Sequence, residues 1–139
     1  MTNRRVCRVV IDTSAIVAMV NREPERAAFL RMCLAQERIR LSTAGYVETA
    51  MVLDRRGDPA LSSQFDRLLI DLGVDVEPVT ITQATLARAA HRRFGRGSGH
   101  PARLNFGDCF AYALAVDTGE PLLFKGEDFT RTDVVSALE

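Results

Sequence analysis

Val9-Val10-Ile11 runs without a break into Asp12. Consecutive β-branched residues favour a strand, and the absence of polar alternation predicts a strand covered on both faces. We read the strand over Val6–Ile11. Strands of that kind belong to parallel sheets with helices above and below, where functional groups gather at the carboxyl ends of the strands. Asp12 stands at such an end.

The rest of the chain supplies the matching parts. Thr13 through Val20 is apolar and predicts a helix. Pro24 suits the first turn of another, running through Phe29, Leu30 and Leu34. Ile39–Ser42 predicts a second strand. Ser42 or Thr43 then caps a helix with apolar positions Ala44, Val47, Met51 and Val52. Asp58-Pro59 opens a helix that Gly73 ends. Val74–Val79 alternates and contains a proline, which predicts a sheet edge. Thr80 or Thr82 leads a helix to Phe94-Gly95, and residues 95–103 form a Gly/Ser/Pro loop. Gly107–Val116 is a very apolar helix, Pro121–Phe124 a strand, and Val134-Val135 a short strand in the tail. Strands alternating with helices predict an α/β fold, a three-layer α/β/α sandwich around a mainly parallel sheet. Its length of 139 residues, with 47% hydrophobic and 26% charged residues, fits one domain over 1–139 with a core of its own.

Several carboxylates occupy costly places. Asp12 is one, although it also suits a helix N-cap. Glu48 shares a helix face with Ala44, Met51 and Val52, where a charge is unfavourable unless paired or metal-bound. An ion pair with Arg55 is the structural alternative. Asp108 is the sole charge in Gly107–Val116, a helix predicted to be buried nearly all round. Asn105, three residues earlier, is placed to support it or to touch a substrate. Glu127 and Asp128 follow the Leu-Leu-Phe strand. Carboxylates brought together repel unless a cation holds them. Oxygen donors without His or Cys suit Mg²⁺ or Mn²⁺ better than zinc. Such a set of residues can serve phosphodiester hydrolysis.

Charge and cysteine content narrow the alternatives. Eighteen Lys+Arg balance eighteen Asp+Glu, which excludes a basic coat over the whole chain. The balance is uneven along the sequence. His91–Arg103 carries Arg92, Arg93, Arg96 and Arg103, both histidines and no acid. Taking these four arginines from 18 basic residues leaves 14 against 18 acids, a net of −4 elsewhere. Arginine binds phosphate bidentately, so this segment is a candidate nucleic-acid contact. The histidines are expected in solvent. Three cysteines without CxxC spacing predict free thiols. The apolar run after Arg8 meets Asp12 too early for a signal peptide, and no run reaches a membrane span. A soluble, cytoplasmic protein with no membrane partner is expected.

Four blocks together resemble the motifs of PIN-domain proteins, especially the VapC-type toxins of bacterial toxin–antitoxin pairs. They are Val10-Ile11-Asp12-Thr13-Ser14-Ala15-Ile16, Tyr46-Val47-Glu48-Thr49-Ala50, Leu104-Asn105-Phe106-Gly107-Asp108-Cys109-Phe110-Ala111-Tyr112 and Leu122-Leu123-Phe124-Lys125-Gly126-Glu127-Asp128-Phe129. The resemblance implies an Mg²⁺- or Mn²⁺-dependent endoribonuclease, with Asp12, Glu48 and Asp108 at the family's acidic positions. Asp12 and Asp108 are then metal ligands, and Glu48 binds directly or through water. The fourth acidic position falls on Glu127 or Asp128. Thr13 or Ser14 matches a hydroxyl that orients the site. The resemblance further implies a cognate small antitoxin, a homodimer and structured RNA targets such as transfer or ribosomal RNA.

Two other classes fit parts of the sequence. One is a phosphate-transfer domain with Asp12 as nucleophile and Lys125, the only lysine, on the phosphate. Here Ser14 stands where haloacid-dehalogenase-like hydrolases need a second Asp. The other is a non-catalytic module whose apolar helices and arginine loop dock a partner.

Overall fold

The computed structural model describes residues 7–138. Four strands form one sheet in the order β3-β2-β1-β4, and every pairing is parallel. They are β1 (Arg8–Ile11), β2 (Arg38–Ser42), β3 (Val74–Glu77) and β4 (Leu122–Leu123). Six helices connect them: α1 (Thr13–Val20), α2 (Arg26–Leu34), α3 (Thr43–Asp54), α4 (Pro59–Leu72), α5 (Ile81–Phe94) and α6 (Phe106–Thr118).

The apolar strand β1 divides its side chains between two cores. Val9 and Ile11 pack with Ile16, Phe29, Leu53 and Phe65 of α1–α4, together with Ile39, Leu41 and Leu123. Val10 faces the opposite way, with Leu122 and the α5–α6 pair. The sandwich therefore has its three layers, with α1–α4 on one side and α5–α6 on the other. Both faces of β1 are sealed, as its unbroken apolar sequence requires. The second strand is more polar beneath α6. Arg40 is held there between Glu77 at 3.3 Å and the buried Glu120 at 3.1 Å.

Local chemistry sets the helix ends. Asp12, Ser42, Asp58 and Thr80 each accept a backbone N–H in the first turn of the following helix. Gly73 and Gly119 close α4 and α6 in the left-handed conformation that glycine adopts without steric cost. Pro24 does not open α2, which starts at Arg26 after a turn. The edge strand stops at Glu77, before Pro78 removes a ladder donor. Val6 lies outside the described residues. In the tail, Val134-Val135 does not form a strand of its own. Leu122 N–H donates to Val135 O, Ala137 N–H to Leu122 O, and Ser136 makes a single parallel bridge beside β4.

Phe65 is the buried anchor of α4, 2% exposed and 5.6 Å from the Tyr46 ring, whereas Ile70 on the same helix is 73% exposed. Phe65→Ala is expected to cost about 3–5 kcal/mol in chemical denaturation. Ile70→Ala should change stability by less than about 0.5 kcal/mol.

Candidate active site

The β1–α1 junction, the start of α6, the flank of α3 and the loop after β4 build the site at the carboxyl end of the sheet. Asp12 leaves β1 and caps α1. Its Oδ2 accepts the Ser14 N–H at 2.9 Å and the Ser14 hydroxyl at 2.6 Å. Ser14 Oγ in turn accepts the Lys125 backbone N–H at 2.9 Å, which ties the loop after β4 to the same carboxylate. Thr13 points elsewhere. Its hydroxyl donates to Gly45 O and accepts from Thr49, locking α1 against the first turns of α3. Of the two hydroxyls, Ser14 is thus the one bonded to Asp12, and Thr13 is the one bonded to α3.

Asp108 sits at the third residue of α6 in a reciprocal cap with Asn105. Asn105 Oδ1 accepts the Asp108 N–H at 2.8 Å, and Asp108 Oδ2 accepts the Asn105 N–H at 3.0 Å. Glu48 approaches from the flank of α3. A Cβ placed on Gly107 would fall onto the Glu48 carboxylate, so the two helices meet where α6 has no side chain. Arg55 lines the same groove, of about 520 Å³, yet makes no ion pair with Glu48.

Burial dominates the electrostatics. Asp12 is 4% exposed and Asp108 8%. Desolvation lifts the Asp12 pKa to about 6 against the Ser14 hydrogen bonds, with the Glu48 charge adding to the rise. It lifts Asp108 to about 7 despite the Asn105 bond, and the charges of Asp12, Asp128 and Glu48 push the same way. Asp108 therefore feels the other three carboxylates, and Asp12 feels Glu48. Glu127 and Asp128 follow β4 in the same loop. Both are exposed, but only Asp128 acts on Asp108.

No described residue donates a hydrogen bond to Oδ1 of Asp108, and beyond Ser14 the Asp12 carboxylate takes only a weaker bond from the Thr13 backbone. Among the described residues, no three His, Cys, Asp or Glu side chains stand close enough to grip one ion unaided. The nearby thiol of Cys109 is pushed up to about 11, by burial and then by Asp108, which leaves it protonated. The free donors here are carboxylate oxygens, the chemistry of a hard divalent cation.

The arginine segment is more ordered than its composition predicts. A parallel bridge between Gly95 and Leu104 closes the loop, with Arg96 N–H donating to Leu104 O and Leu104 N–H to Phe94 O. His100 is half-buried rather than solvated; its Nδ1 accepts the Ala102 N–H and its ring meets Phe94 edge-on. His91 is exposed. Arg93 lies over the Phe94 ring and reaches Asp133 at 3.5 Å, in the tail. Arg92 lines a groove with Thr85 and Arg88 on the outside of α5, and Arg103 is exposed. Arg96 alone of the four shares a pocket with Asn105 and Phe106, beside the acids. That pocket also brings in Arg88 and Phe106, which the sequence reading did not single out. Phe106 is 81% exposed, a signal visible only in the fold.

Lys125 carries its charge away from the acids. Its ammonium binds Glu23 and lies 3.3 Å from Glu25, in the α1–α2 connection. It is thus not free to meet a phosphate on Asp12. Among the described residues, no helix is long and apolar enough to cross a membrane.

The raised acids set the pH dependence of the metal-free protein. Their folded pKa values, about 6 and 7, lie above the unfolded range near 3.9. Between these limits the folded state binds more protons, so stability falls as pH rises. With chelator present, the melting temperature should climb as pH is lowered from 8 to 5, and Asp108→Asn should flatten that rise.

Known proteins resemble this chain in sequence and in fold. Residues 9–135 match the family model described as PIN domain. The chain is 51% identical to Ribonuclease VapC28 of Mycobacterium tuberculosis over 131 residues, covering 94% of this chain and 98% of the relative. It is 49% identical to Ribonuclease VapC42 of the same species, covering 91% and 96%. Among solved structures, Mycobacterium tuberculosis VapC20 superposes with a TM-score of 0.72 at 22% identity, covering 91% of this chain and 96% of that one. A toxin–antitoxin complex from Klebsiella pneumoniae gives 0.67 at 15% identity, covering 93% and 97%. By family model and by relatives matched along nearly its whole length, this chain belongs to the PIN-domain family.

Proposed function

We propose that this protein, as one domain, is a divalent-metal-dependent endoribonuclease and the toxin of a toxin–antitoxin pair, working in the cytoplasm. One observation carries the reading: Asp12 and Asp108, both buried at the end of the sheet, each feel the charge of Glu48, and Asp108 also feels those of Asp12 and Asp128. The ribonuclease relatives and the toxin–antitoxin complex support it. A small antitoxin is the proposed partner, a homodimer the proposed assembly and structured RNA, such as transfer or ribosomal RNA, the proposed substrate.

Asp12 and Asp108 are the residues to hold Mg²⁺ or Mn²⁺, through the oxygens their caps leave unused. Glu48 is placed to bind directly or through water, and Asp128 to complete the acidic ring. When bound, the cation would lower the pKa of water and neutralise charge on the phosphate. Ser14 keeps Asp12 in one rotamer, and Asn105 does the same for Asp108. The Glu48 carboxylate takes the proton from the attacking water. The water oxygen bonds to phosphorus, the ester P–O bond breaks, and the departing oxygen takes a proton from solvent. Of the four arginines in residues 91–103, Arg96 alone lines a pocket with Asn105, and so it is the first candidate among them for a neighbouring phosphate. The tie of Arg93 to Asp133 makes it the weaker candidate.

Asp108→Asn keeps an acceptor for the Asn105 N–H, so the fold should survive while cleavage of RNA falls to background. Glu48→Gln should lower the rate by about 10²–10⁴-fold. Full cleavage by a folded, contaminant-free Asp108→Asn protein would overturn the mechanism. The same assay separates the acids of the last loop. Asp128→Asn should weaken the dependence of rate on Mn²⁺ concentration, and Glu127→Gln should leave it unchanged.

A further inference from the structure

Beside the acidic groove, across the shared wall of Asn105 and Phe106, lies a second pocket of about 480 Å³. Its floor includes Ala87 and Leu104, both buried. Phe106 and Phe110 form an aromatic wall, with ring centroids 4.9 Å apart and edge-on. Arg88, His91 and Arg96 also line it, and none of the three makes an ion pair among the described residues.

Phe106 is out of place by burial. A phenylalanine 81% exposed forgoes most of the stabilisation that burying its ring would bring. It stands at the first residue of α6, two positions before Asp108. Phe110 braces one edge of its ring and leaves the rest open. The pocket is large enough for a small organic ring system. Apolar floor, aromatic wall and unpaired cationic groups suit a nucleobase and its phosphate together. Arginine and aromatic rings also mark protein interfaces, so self-association and antitoxin binding are read out in the test beside RNA binding.

We infer that this pocket is a nucleotide subsite of the RNA strand, in which one unpaired base stacks on Phe106 while Arg96 contacts the adjoining phosphate. The inference rests on the nuclease reading and deepens it. It assigns Phe106 to selection of the position cut, as a residue that touches substrate and takes no part in bond breaking. A base held in a helix cannot enter, so the subsite favours cuts next to loops and bulges.

The test begins with wild-type protein and Mn²⁺, mapping the new 5′ ends in total cellular RNA. An oligoribonucleotide spanning the mapped cut is then remade with an abasic residue at each position in turn. One position near the cut should lose about tenfold in kcat/KM with wild type, mostly through KM. Phe106→Ala should show the same loss on the intact oligonucleotide and no further loss on that abasic one. Phe106→Tyr should restore both activity and sensitivity. Arg96→Ala should raise KM and flatten its salt dependence. Additive losses from Phe106→Ala and the abasic residue, or no sensitive position at all, overturn the subsite while cleavage by wild type still supports the nuclease. Absence of any wild-type cleavage instead defeats the nuclease reading. If Phe106→Ala abolishes self-association or antitoxin binding but leaves KM and the abasic pattern unchanged, Phe106 belongs to a protein interface and the subsite is overturned.

Discussion

Two buried carboxylates, each fastened through one oxygen to the start of a helix, are the constraint around which the molecule is arranged. Asp12 and Asp108 would be hard to keep in a sheet–helix crevice without donors. The Ser14 N–H in the first turn of α1 and the Asn105 N–H at the cap of α6 provide them. A helix start has unsatisfied N–H groups and a favourable dipole for anions. The cost of burial still wins, as the raised pKa values of both groups show. What results is a site that is assembled but electrostatically frustrated, and a divalent cation relieves frustration of that sign.

The remaining architecture holds those two helix starts in place. The β1 strand delivers Asp12 to the crevice and is sealed on both faces, so it cannot shift without opening both cores. Thr13 and Thr49 lock α1 to α3, which brings Glu48 to α6. The Lys125 backbone bonds Ser14 while its side chain is clamped by Glu23 and Glu25. That clamp fixes the base of the loop that carries Asp128.

The fold was legible because its signals are local. An unbroken Val-Val-Ile run, caps at Asp58 and Thr80 and the glycine after Leu72 each act over a few residues. Asp12, Glu48 and Asp108 stood out for a related reason, since charges in apolar stretches need an explanation. What stayed hidden depends on contacts between distant segments. Nothing near Arg93 in the chain announces Asp133, forty residues on, as its partner. The choice between Glu127 and Asp128 turns on which one the loop presents to α6. The closed form of the arginine loop depends on Leu104 returning to Phe94 and Gly95. Phe106 reads as one more apolar residue of a buried helix until the fold leaves it in solvent.

Gly107 carries this point furthest. It has no functional group, it is buried, and its absent Cβ is the space that the Glu48 carboxylate occupies. The breadth of the acidic crevice is therefore set by one missing carbon. A side chain at this position would swing the flexible Glu48 carboxylate out of the crevice rather than break the fold. Chemistry would then be lost at a position that performs none, while the protein stayed folded.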